Sequence, residues 1–82
     1  KIISLEADFH EYLINTVIDH FGIDSNIEDL GNGYFKLKTS VAESDGLVGW
    51  LLRWGSRVKV HHPEHLIHQM KEEIDKMSAL YR

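Results

Sequence analysis

Four histidines, His61, His62, His65 and His68, fall within eight positions of the second half of the chain. Imidazole is a common zinc and nickel ligand, and such a site needs three or four donors converging at about 2 Å. His65 and His68 stand three apart, which can put two rings on one ion. His61 precedes them, and Glu64 offers a carboxylate. However, the helical H-x-x-x-H spacing is absent, and nothing in the sequence supplies partners to orient the rings. The plainer reading is a solvated helix start rich in histidine. No metal ligand and no cofactor is therefore assigned. The His61–His68 cluster is kept as the site of an alternative function, a free-standing domain that binds a small molecule or a metal.

Cations make the second constellation. Lys36 and Lys38 alternate with Phe35 and Leu37, and Lys59 and His61 alternate with Val58 and Val60. If both apolar sets face a core, Lys36, Lys38, Lys59 and His61 share the opposite face, with Arg57 at its edge. A local basic strip of this kind suits an anionic ligand. Lysines that keep a sheet face solvated and block aggregation explain the same pattern. The candidate anion contacts are Lys36, Lys38, Arg53, Arg57 and Lys59. Arg53 serves equally well as a solvated helix residue. Only one aromatic, Tyr34, shares this parity, which argues against the base-stacking sheet of an RNA-recognition module.

Catalytic readings fare poorly. Asp8, Glu11, Asp45 and Glu64 stand where helix caps and first turns favour negative charge. Ser44 and Ser56 lie in turns with no base paired to them in sequence. Gly31-Asn32-Gly33 is a hairpin turn rather than a phosphate-cradling loop. The chain is predicted not to be an enzyme.

The elements that position these groups centre on Leu47–Pro63. Leu47, Trp50, Leu51 and Trp54 recur at spacings of three and four, one helical face. Gly55 stops that helix, and Val58–His61 alternates as a half-buried strand. Pro63 opens a last helix to about Tyr81, with Leu66, Ile67, Met70, Ile74, Met77 and Leu80-Tyr81 on one side. Upstream, Ile2–Ala7 reads as a strand. Asp8 reads as an N-cap with Glu11 completing a capping box, and Phe9–His20 as a helix ended by Gly22. Ser25–Leu30 reads as a short strand around Ile27, joined by the glycine turn to a strand over Tyr34–Val41. Gly46–Trp54 is the second helix, capped by Ser44 or Asp45.

The order matches an α+β, ferredoxin-like βαββαβ unit with an additional C-terminal helix, its crossover helices on one face of an antiparallel four-stranded sheet. The final helix is predicted to cover a sheet edge or reach a neighbour. Ile2, Ser4 and Tyr34 with that helix form a candidate self-association surface, because a single-layer sheet leaves one face uncovered.

At 82 residues the chain fits one domain, residues 1–82. Its 43% hydrophobic content argues against disorder, and its net charge of −4 argues against a free-standing nucleic-acid binder. The absence of cysteine excludes disulfides, thiol catalysis and cysteine zinc sites, and fits a reducing cytoplasm. No apolar run is long enough to span a membrane. The first residue is Lys1 rather than Met, which favours a piece cut from a longer protein.

The run from Gly49 to Tyr81 resembles the C-terminal extension, the WCX domain, of WYL-class bacterial transcription regulators. The matching residues are Trp50-Leu51-Leu52, Gly55, Val58, Val60, Pro63, Leu66 and Tyr81. The first half fits in layout. The four histidines lie outside the family pattern. The resemblance implies a helix-turn-helix regulator that binds promoter DNA through an N-terminal domain missing from this chain. It further implies a homodimer, a nucleotide or nucleic-acid-like anionic effector, and a cytoplasmic location. It brings no catalytic residue with it.

Overall fold

The computed structural model describes residues 1–22 and 25–82. The chain runs β1 (Ile2–His10), α1 (Ile14–Phe21), β2 (Asn26–Asp29), β3 (Tyr34–Ala42), α2 (Asp45–Leu52), β4 (Val58–His62) and α3 (Glu64–Leu80). Single 3₁₀ turns occupy Glu11–Leu13 and Gly55–Arg57. The strands form one sheet in the order β2-β3-β1-β4, with every neighbouring pair antiparallel. This is the predicted ferredoxin-like α+β arrangement, with α3 appended.

Alternation along β1 and β3 builds the core. Ile3, Leu5, Ala7 and Phe9 of β1 and Phe35 and Leu37 of β3 are buried on the inner face. Leu13 and Val17, Leu47 and Leu51 of α2, and Leu66 of α3 close over them in the same cluster. Phe9 stacks on Phe35 at 5.7 Å between ring centroids, and Trp50 meets Phe9 edge-on at 6.2 Å. Trp50 also touches Phe21 and Trp54, at 5.2 and 5.9 Å. Both indoles, with Val58 and Val60, pack half-buried against this core. Between them Gly55 takes φ +60°, the left-handed conformation that favours glycine.

One element differs from expectation in a way that matters for the site. β1 does not stop at Ala7, and Asp8 is not a helix cap. The strand continues through Asp8, Phe9 and His10, paired with Lys36, Phe35 and Tyr34. The helix expected over Phe9–His20 begins only at Ile14, after the turn at Glu11–Leu13. The energetic reason is plain. A capping interaction contributes about 1 kcal/mol. Extending β1 buries the Phe9 ring, worth about 2–3 kcal/mol, and completes a nine-pair ladder. His10 takes over the capping role, its Nδ1 accepting from Tyr12 N–H at 3.2 Å.

Elsewhere the boundaries shift by only a few residues. The β2–β3 turn is as predicted: Gly31 and Gly33 have φ +77° and +86°, and the backbone N–H groups of Gly31 and Tyr34 donate to Asp29 and Asn32 side chains. The His62–Pro63 peptide at the start of α3 is cis.

Candidate functional site

The helices cover one face of the sheet, so the opposite face is where the predicted cations project. Register places Lys36 and Lys38 of β3 and Lys59 of β4 on this outer face. They do not form an uninterrupted basic strip. β1 lies between them and contributes Glu6 and Asp8, while Glu28 of β2 pairs with Lys36 in register on the far side. Charge therefore alternates strand by strand: acidic β2, basic β3, acidic β1, basic β4.

The pairings follow from that layout. Lys36 Nζ lies 3.3 Å from Glu6 Oε1 across one diagonal. His61 donates from Nε2 to Asp8 Oδ2 at 2.8 Å. A register shift in the β1–β4 ladder explains His61's reach. Ala7 pairs with Val60 but Glu6 pairs with His62, so His61 is the extra residue of a bulge. Asp8 Oδ1 is buried with no hydrogen-bond partner among the described residues. Lys38 and Lys59 are exposed and make no ion pair within 4 Å among the described residues.

The two arginines stand apart from these lysines. Arg53 follows α2 and lies over the Trp54 ring at 5.1 Å. Arg57 lies over the Tyr12 ring at 5.5 Å. Tyr12 belongs to an aromatic group at the end of β1: His10 meets Tyr12 and Tyr34 edge-on, at 5.1 and 5.4 Å. So the outer face has three aromatic rings at one end, Arg57 beside them, and Lys36 and Lys59 one register step below. Sequence reasoning missed His10 and Tyr12, along with Glu6 and Asp8. The signal was available: the period-two run Ile3, Leu5, Ala7 continues to Phe9.

The histidine corner does not converge. His61 turns to Asp8 on β1, whereas His65 Nε2 contacts Glu43 Oε2 in the β3–α2 connector. Among the described residues no three histidine, aspartate or glutamate side chains are grouped to hold a metal ion. The alternative ligand cluster is split because the β4 bulge and the first turn of α3 aim the His61 and His65 rings at different elements. Among the same residues no helix is long and apolar enough to cross a membrane.

No curated protein matches the chain closely enough to count as a relative. The profile of the WCX domain matches residues 2–78, nearly the whole length, and the chain belongs to that family.

Proposed function

We propose that this chain is the C-terminal regulatory domain of a WYL-class bacterial transcription regulator, without catalytic activity of its own. It acts in the cytoplasm as part of a homodimer, while a separate N-terminal helix-turn-helix domain of the same protein contacts promoter DNA. Its own contribution is self-association and contact with an anionic, nucleotide or nucleic-acid-like effector. The observation that carries this reading is the family match over residues 2–78.

The outer face supports the effector part. Tyr12, His10 and Tyr34 present aromatic surface beside Arg57, Lys36 and Lys59 lie next to them, and Lys38 follows one register step further. Bases stack on aromatic rings while cations follow the phosphates. Arg53 fits this ligand least well, since it sits on Trp54 beyond the end of α2.

Anisotropy with a short fluorescein-labelled oligothymidylate tests the reading. Binding weakens as salt rises, and Lys38→Glu with Lys59→Glu weakens it about tenfold or more. In the full-length regulator the same pair blunts the effector response and leaves the fold intact. Oligonucleotide binding and effector response both unchanged by Lys36→Glu, Lys38→Glu and Lys59→Glu together would remove the effector assignment.

A further inference from the structure

The last three turns of α3 carry an apolar seam that none of the described residues covers. α3 docks through its first two turns, where Leu66 is buried and Ile67 and Met70 are half-buried. From Lys71 to Arg82 every residue is exposed. Yet the apolar pattern continues: Ile74 is 49% exposed, Met77 48%, Leu80 78% and Tyr81 87%. A helical segment this short is marginal in water without packing. Ile67, Met70, Ile74, Met77 and Tyr81 recur at spacings of three and four, the seam of two paired helices. Beside the seam lies an open groove of about 590 Å³, lined by Leu52, Gly55, Val58, Met70, Ile74 and Tyr81 among others.

We propose that the occupant of this groove is α3 of a second copy of the chain, lying antiparallel across a two-fold axis between Asp75 and Lys76. This rests on the self-association part of the functional reading and names the surface that performs it. In this register Ile74 packs on Met77 of the second copy and Met70 on its Tyr81, each twice by symmetry. Lys71 then lies level with Leu80, Glu72 with Ala79, Glu73 with Ser78 and Gln69 with Arg82. The one level that sets charge against charge is Asp75 with Lys76, of opposite sign.

Sliding the partner helix by one heptad, which moves the axis to Glu72, sets Glu72 against its own copy. It also drives Tyr81 onto Pro63, which is already buried. Parallel pairing sets Lys71 beside Lys71 and crowds both domain bodies at one end, whereas the antiparallel pair places them at opposite ends. The exposed seam and the groove floor offer about 500 Å² per copy. A symmetric pair thus reaches about 1,000 Å², the lower bound for a specific interface and the size of a reversible one.

Sedimentation velocity on this chain tests the proposal. The wild type runs as a dimer at micromolar concentration, and Ile74→Glu with Met77→Glu weakens the dimer roughly 100-fold while the melting temperature of the monomer stays put. The chain has no cysteine, so engineered thiols report the register. Mixed Ile74→Cys and Met77→Cys chains cross-link to each other in preference to themselves on oxidation. A dimer that survives the double glutamate variant overturns the α3 assignment and leaves self-association standing. Self-cross-linking of Ile74→Cys overturns the antiparallel register. A wild-type chain that stays monomeric gives the face to a different partner and overturns both.

Discussion

Asp8 and Phe9 are neighbours in sequence and belong to opposite sides of the sheet. Phe9 is fully buried, stacked on Phe35 and braced by Trp50. Asp8 looks outward, bonded to His61 and flanked in register by Lys36 and Lys59. The inner face is held by non-directional burial, which accumulates over every ring and methyl group. The outer face is held by ion pairs in partial contact with water, which mostly cancel against desolvation and salt screening. One face therefore decides whether the domain folds. The other is free to serve a ligand, because changing it costs little stability.

The largest test of that division is Phe9→Ala. It deletes a ring that touches the sheet and α2 at once, and should cost about 3–5 kcal/mol in urea denaturation. For a domain this small that is a large fraction of total stability. A loss below about 1 kcal/mol would mean that the core does not depend on the extended β1.

Next in size is Asp8→Ala, one position away. It removes the bond to His61, but it also removes a buried oxygen that has no partner among the described residues. The two effects oppose each other, so the net change should be about 1 kcal/mol or less. Raising salt should shrink it further. If Asp8→Ala rivals Phe9→Ala, the outer face is structural rather than free, and the ligand reading loses its physical basis.

The two faces were not equally legible in the amino-acid order. Inner positions announce themselves, because period-two alternation of Phe35, Leu37 and the β4 valines is a local signal. The topology, the glycine turns and the Gly55 corner follow from similar local rules. The outer face is a product of register, and register joins residues that are far apart in sequence. Lys36 reaches Glu6 across thirty positions, and His61 reaches Asp8 across fifty-three. Reading Asp8 as a cap hid β1's acidic column, and with it the alternation of charge. The aromatic end was hidden for the same reason, since His10 and Tyr12 join Tyr34 only when β1 runs its full length. The histidines show the converse: closeness in sequence raised a cluster only as an alternative, and a bulge followed by a helix start sends the His61 and His65 rings to different elements.

The smallest effect separates two descriptions of the outer face, discrete pairs or a shared field. Glu6 has Lys38 directly opposite in register, yet its carboxylate contacts Lys36 on the diagonal. A double-mutant cycle of Glu6→Gln with Lys36→Met isolates that contact and should give a coupling of about 0.5 kcal/mol, with both side chains about a quarter to a third exposed. The parallel cycle with Lys38→Met should give less, because Lys38 is more exposed and its charge lies beyond contact distance. If the two couplings come out equal, Glu6 is shared between both lysines as a screened field. Lys36 would then be as available to an anion as Lys38, and the acidic strand would act as a tunable counter-charge for whatever binds there. If only Lys36 couples, an incoming phosphate must displace Glu6 to reach it. Lys38 and Lys59 then form the first contact, and Lys36 joins at the cost of one weak ion pair.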